Sequence, residues 1–292
     1  MIHYSFPLYR PPAEADNIII QATLGCSHNR CSFCTMYKTK RYTIRPLNEV
    51  QREIEALAHA YPHTNKVFLA DGDALALPTD HLTKLLRLLK TSFPRLSRVS
   101  LYATAQNFLE KSIDELKELR AGGLSLAYFG IETGNDELLN KIDKGVNADQ
   151  MIEALHRAHE ANIKISATVI LGIGGEEYTR EHIHDTAKLI NAAPITYLST
   201  LQLGLEEDSR DRFLKAFDSF IPLNDLQILN EQRELLSLIN PPQKIIFRSN
   251  HASNALHLSG TLPKDSEKLI VQIDDALRVG ADAMVPRWMR GF

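Results

Sequence analysis

Short β-branched or apolar runs alternate with amphipathic stretches long enough to be helices along most of this 292-residue chain. Strands buried on both faces read as continuous apolar runs, and parallel pairing requires a helical crossover between them, so this alternation predicts a parallel α/β sheet. Strands are expected at residues 17–24, 66–70, 98–103, 125–131, 164–171 and 195–201. Helices are expected at 48–60, from Thr79 or Asp80 to about 93, and at 112–120, 148–161 and 179–191. Asn48 reads as an N-cap, Pro94 as a helix stop and Gly122-Gly123 as a helix end. If six such βα units curl into a barrel or partial barrel, functional groups belong at the C-terminal ends of the strands, where loops vary without disturbing the core.

Past Gly204 the alternation weakens. An acidic run, Glu206-Glu207-Asp208, precedes helices near 210–220 and 225–239, a short strand at 244–247 after Pro241-Pro242, and a last helix at 266–279. With no internal repeat or low-complexity tract to mark a boundary, residues 1–204 are read as the core and 205–292 as an extension closing one side of it, not as an independent domain. The formal charge of −3 is too mild for a nucleic-acid surface, although Arg30, Lys38, Lys40, Arg41 and Arg45 gather locally. The apolar stretch at 165–173 is far shorter than the about 20 residues a membrane helix needs, and the N-terminus lacks a secretory pattern. The expected location is the cytoplasm, with no membrane partner.

The expected first strand runs into Gly25 and a loop that carries all three cysteines of the chain, Cys26, Cys31 and Cys34. An odd count leaves a thiol unpaired in any disulfide scheme, so reduced thiols are the better reading. A structural zinc would need His28 as fourth ligand in a cramped Cys-x-His-x2-Cys-x2-Cys arrangement. A cubic iron–sulfur cluster can instead take three thiolates and leave one iron open to a small molecule. Buried, unliganded thiols are the third possibility.

The loop ends in Cys31-Ser32-Phe33-Cys34, a Cys-x-aromatic-Cys ending that resembles the radical S-adenosylmethionine (SAM) enzymes. The resemblance is to the branch that includes the Elongator catalytic subunit and the MiaB-like and NifB-like cores. It continues through the aromatic and arginine-rich stretch 36–46 and through Tyr128-Phe129-Gly130-Ile131-Glu132-Thr133-Gly134, and spans about residues 17–200. One departure is the gap of four residues between Cys26 and Cys31, where the common family spacing is three.

This resemblance implies a partial TIM-type (β/α)6 barrel. It implies a [4Fe-4S] cluster on Cys26, Cys31 and Cys34, with SAM on the open iron cleaved to a 5′-deoxyadenosyl radical that abstracts hydrogen from substrate. It assigns Asp71, Gly72 and Asp73, where the family has Gly-Gly-Glu, to the ammonium of SAM. Thr104 and Gln106 after the third strand and Glu132 after the fourth would meet polar groups of SAM, and Ile170 and Gly172 would pack its adenine. Phe33 completes the cofactor-binding set, and Arg30 and Lys38 would favour the thiolates.

Other motifs carry less. The glycines at 172, 174 and 175 lack the Gly-Lys-Ser/Thr of a phosphate loop, and no dinucleotide fingerprint occurs. His156, His159, His182 and His184 are read as exposed helix residues. The run 248–254, with Arg248, Asn250 and His251, is a candidate lining for a substrate pocket. No cobalamin module, second cysteine cluster or RNA-binding domain is visible, which points to a small-molecule, peptide or cofactor substrate and to an electron donor such as flavodoxin or ferredoxin. Nucleic acid is not an expected partner. A zinc-binding or non-catalytic iron–sulfur protein is the alternative.

Overall fold

The computed structural model describes residues 2–291. The chain forms two compact units. One comprises the segment ending at Asn29 together with Met36–Phe129 and Ala154–Ile165, the other Arg30–Thr35, Gly130–Glu153 and the segment from Ser166 onward.

The first unit opens with β1 (Ile18–Gln21) and β2 (Thr23–Leu24), which divide the single strand expected at 17–24. The division has a partner as its cause: β2 pairs antiparallel with β3 (Thr43–Ile44), turning the chain out of the main sheet just before the cysteines. Next come α1 (Leu47–Ala60), β4 (Lys66–Ala70), α2 (Thr79–Ser92), β5 (Arg98–Ala103), α3 (Ala105–Leu109), α4 (Ile113–Ala121) and β6 (Leu124–Glu132). β1, β4, β5 and β6 are neighbours in that order, all parallel, with Ile20 beside Leu69, Phe68 beside Ser100 and Leu101 beside Ala127. Helices α1 and α2 start after Pro46 and Pro78 rather than on Asn48, Thr79 or Asp80 as caps, since each proline sets an extended residue directly ahead of the first turn.

β6 runs on into the second unit, which holds α5 (Asp136–Lys141), α7 (Gly175–Ala192) and β8 (Tyr197–Gln202), while α6 (Ala148–Glu160) and β7 (Lys164–Leu171) each have residues in both units. The region beyond 204 supplies α8 (Glu207–Leu214), α9 (Asp225–Leu238), β9 (Ile245–Ser249), β10 (Leu258–Leu262) and α10 (Ser266–Val279). β7, β8 and β9 run parallel, and β10 returns antiparallel to β9. The extension therefore continues the strand order of β7 and β8.

Six parallel strands followed by helices match the alternation in the sequence, with four differences. The helix expected at 210–220 is Glu207–Leu214, and its Phe213 stacks with Phe217 and Phe220 beyond its end, all three at centroid distances of 5.0 Å. β10 and the short α3 and α5 carry too few periodic residues to announce themselves. Apolar burial otherwise follows the pattern: Leu85, Leu86 and Leu89 of α2 and Leu116 and Leu119 of α4 are fully buried. Among the described residues no helix is long and apolar enough to cross a membrane.

Candidate functional site

Every candidate residue lies at or just beyond the C-terminal end of a strand, where backbone polar groups leave the ladder. Within the first unit the chain leaves β2 through Gly25 at φ 74°, and a Cβ there would lie 3.2 Å from the backbone of Lys40, Arg41 and Tyr42. Only glycine fits so close a turn. Half-buried Cys26 follows, and Gly72 approaches it so tightly that a Cβ on residue 72 would lie 2.6 Å from the cysteine Cβ.

The two carboxylates beside Gly72 are fully buried and occupied by the protein itself. Asp71 accepts from Gln21 Nε2 (3.0 Å), the Gly25 amide (3.0 Å) and Lys40 Nζ (2.9 Å). It is a buried strut under the start of the cysteine loop. Asp73 accepts from the Ser27 amide (2.8 Å), the Ser27 hydroxyl and Asn107 Nδ2 (3.4 Å), bracing the residue after Cys26. Burial pushes the Asp73 carboxyl up, against hydrogen bonds from Ser27, Asn107 and Cys26 that hold it down. Thr104 caps α3 in a reciprocal box with Asn107, and exposed Gln106 donates to Glu110 (2.9 Å).

The second unit holds Cys31, Phe33 and Cys34, all half-buried, in a single turn in which the Cys34 amide reaches the Cys31 carbonyl (3.3 Å). The Ser32 amide donates to Ile142 O (2.9 Å), tying the turn to the end of α5. Glu132 ends β6 at φ 63°, a left-handed conformation rare outside glycine, and accepts from Lys144 Nζ at 2.7 Å with both side chains nearly buried. Burial alone would lower the Lys144 ammonium, but Glu132 and the Cys31 and Cys34 sulfurs together hold it above its ordinary range.

Near the end of β7, buried Ile170 leads to Gly172 at φ 78°, whose amide donates to Glu231 Oε2 (2.6 Å). Glu231, on α9, also accepts from the Thr179 hydroxyl (2.6 Å), and burial pushes its carboxyl up to about 7. In the 248–254 run, exposed Arg248 bonds the carbonyl of Phe247 (2.7 Å), Asn250 is exposed, and half-buried His251 pairs Nδ1 with Ser253 Oγ (2.9 Å). Asn254 is the tie of that run, donating to Thr200 O (2.8 Å) and accepting from the Gln202 amide (2.9 Å).

Three charge readings change. Lys40 and Arg45 belong to no basic patch: one is buried on Asp71, and the other forms a two-pronged pair with Glu53 at 2.8 and 2.9 Å. Lys38 donates to Asn29 O (2.5 Å) and Arg30 faces Asp143 (3.6 Å), while Lys144 is a cation that feels the Cys31 and Cys34 sulfurs. His182 is fully buried rather than exposed, bonded through Nδ1 to Thr133 Oγ1 (2.8 Å) and held down to about 4 by burial. His156 and His159 are exposed. Among the described residues no three His, Cys, Asp or Glu side chains converge closely enough to hold a single metal ion, so the three cysteines do not make a one-ion site.

Lys40, Lys144, Arg212 and Glu231 are site residues that sequence reasoning missed. Each acts on a segment 12 to 181 residues away, a separation at which no local periodicity carries a signal.

Comparison with known proteins adds a family. Residues 20–190 match the profile of the Radical SAM superfamily. The chain is 26% identical over 173 residues to the heme chaperone HemW of Bacillus subtilis (strain 168), covering 57% of this chain and 46% of that protein. It is 26% identical over 175 residues to the ribosomal protein uS12 methylthiotransferase RimO of Pelodictyon phaeoclathratiforme, covering 58% and 39%. The chain thus aligns with less than half the length of these relatives. Among solved structures, the coproporphyrinogen III oxidase HemN of Escherichia coli, titled a radical SAM enzyme, superposes with TM-score 0.56 at 18% identity, over 76% of this chain and 52% of that one. The radical SAM methyltransferase TsrM from Kitasatospora setae gives 0.56 at 17% identity, over 89% and 61%. At these identities the likeness is one of fold, an α/β architecture of mostly parallel strands of the TIM-type barrel class.

Proposed function

The chain belongs to the radical SAM superfamily, and on that premise we propose that it is an enzyme that holds a [4Fe-4S] cluster through Cys26, Cys31 and Cys34 and reductively cleaves SAM. The observation that carries the reading is the cysteine loop itself: three half-buried thiols, the only cysteines in the chain, within nine residues at the C-terminal side of the first strands. The donor set suits a cube that needs three thiolates, and the buried hydroxyl of Ser32, between two of them, has no hydrogen-bond partner among the described residues.

When bound, the reduced cluster supplies the electron that splits SAM into methionine and a 5′-deoxyadenosyl radical able to take a hydrogen atom from substrate. The protein's own part is to hold and shield. Gly72 lets the backbone after β4 come against Cys26, and Asp73 fixes Ser27 beside it. Phe33 contributes apolar cover within the loop. Glu132 presents a carboxylate whose charge Lys144 balances, suited to a ribose hydroxyl or an ammonium. Thr104 and Gln106 add polar groups after β5, while Ile170 and Gly172 offer an apolar side chain and a glycine turn suited to an adenine. Arg248, Asn250 and His251 follow β9 and are assigned to substrate.

The relatives' names describe heme chaperoning in one case and methylthio transfer to a ribosomal protein in another, so they do not choose a substrate. The proposed class is a small molecule, peptide or cofactor, with a low-potential donor of the flavodoxin or ferredoxin kind, in the reducing cytoplasm where thiols stay reduced. Anaerobic reconstitution tests the reading. About four irons with matching sulfide per chain, an electron paramagnetic resonance signal perturbed by SAM, and 5′-deoxyadenosine formed with dithionite are expected, all lost in Cys34→Ala. One zinc and no sulfide would overturn it.

A further inference from the structure

Arg212, on α8, lies far along the chain from the cysteine loop, yet its guanidinium spans the backbone of the Cys31–Cys34 turn. Its Nε donates to Ser32 O (3.2 Å), and its Nη2 donates to Ser32 O (2.9 Å), Cys31 O (3.2 Å) and Cys34 O (3.1 Å). Three of the four carbonyls in the turn therefore converge on one cation. A guanidinium is permanently charged and carries its donors in a rigid planar fork, so it can bridge several carbonyls where a single ammonium cannot.

The base of this arginine is anchored. The next residue, Phe213, is fully buried and stacks on Phe217 and Phe220, each at 5.0 Å. Lys141 Nζ bonds Ala216 O (3.2 Å) and lies 5.4 Å from the rings of both Tyr178 and Phe217. On the other side the turn is held by the Ser32 amide on Ile142 O. A loop pinned at its amide by one element and at three carbonyls by another has little freedom left in its backbone.

We propose that Arg212 is a positioning residue of the cluster: the 205–292 segment reaches back to the loop through this guanidinium, fixes the spacing of Cys31 and Cys34, and places a permanent positive charge beside the thiolates. The inference rests on the reading that these cysteines hold a cluster. It also accounts for the long Cys26–Cys31 gap, because a turn held from outside tolerates an extra residue upstream.

The test compares Arg212→Ala, Arg212→Lys and Cys34→Ala with the parent after anaerobic reconstitution, measuring iron and sulfide, the rate of iron release to a chelator, and the midpoint potential. Outer partners of metal ligands are commonly worth 10- to 100-fold in affinity, so Arg212→Ala is expected to release iron at least about tenfold faster. Its midpoint potential is expected to be more negative, since reduction then adds charge without the guanidinium nearby. Arg212→Lys, which keeps the charge and loses the fork, should fall between Arg212→Ala and the parent. If Arg212→Ala does not fold, as judged by its melting curve before reconstitution, Arg212→Lys carries the comparison alone. Parental release and parental potential in Arg212→Ala, or parental release in Arg212→Lys, would overturn the proposal. Full iron retention in Cys34→Ala would instead strike the cysteine reading itself, whatever the arginine variants do.

Discussion

Asp71 and Lys40 show what a single buried pair does here. Their side chains are 0% and 6% exposed, and Lys40 also donates to the carbonyls of Ser5 (2.7 Å) and Pro7 (2.6 Å), while Gln21 bonds both Asp71 and Ser5. The N-terminal segment, the strand-end carboxylate and the start of the cysteine loop thus share one polar network. Removing one charge leaves the other buried and unpaired, so Lys40→Met or Asp71→Leu alone is expected to cost about 3–5 kcal/mol in denaturant unfolding. The Lys40→Met/Asp71→Leu double variant should cost clearly less than the two together; additive losses would show that the pair is not coupled.

Glu231 is the second residue with a measurable signature. Its carboxyl ionises near 4.5 when unfolded and near 7 when folded, so between those values the folded chain binds more protons. Stability therefore falls as pH rises through that window, and the loss is complete above the folded value, worth roughly 3 kcal/mol at about 1.4 kcal/mol per pKa unit. Glu231→Gln keeps an oxygen for the Gly172 amide and has no charge to bury. Its melting temperature relative to the parent should rise from pH 5 to pH 8; parallel pH profiles would refute this assignment.

At the scale of elements, the site depends on how closely two strand ends approach. With a Cβ on residue 72 meeting Cys26 Cβ at 2.6 Å and Tyr37 Cδ2 at 3.0 Å, Gly72→Ala forces the loop aside, at a cost of about 1–3 kcal/mol in thermal unfolding and with reduced iron uptake on reconstitution. Parental stability and iron content together would mean the loop yields freely. The Asp-Gly-Asp triplet was recognisable from its position after an apolar run, but its chemistry was not: sequence shows two acids and a glycine, while Lys40 and Ser27, which claim those acids, come from other segments. Similarly, β7 and α10 were legible to the residue because long periodic runs declare them. β10, with Ser, Gly and Thr at its centre, is a strand only because β9 offers it an edge.

For the whole molecule, the segment after 204 is structural and functional at once within its unit. β9 lines up beside β8, α9 packs on α7, Glu231 holds the Gly172 turn, and Arg212 holds the cysteine turn. A chain ending at residue 204 is expected to lose cooperative unfolding and to bind hydrophobic dye, because β8 loses a strand partner and α7 its cover. A sigmoidal melt near the parental temperature would overturn that expectation. The sequence by itself determined the α/β alternation, the six βα units and the cysteine loop with its family, since each is written in residues close together along the chain. Tertiary structure alone decided which charges are spent inside the protein and which cations approach Cys31 and Cys34. It likewise decided that distant Arg212 and Glu231 serve the site, because burial and long-range hydrogen bonds depend on what the fold brings into contact, and no local pattern records that.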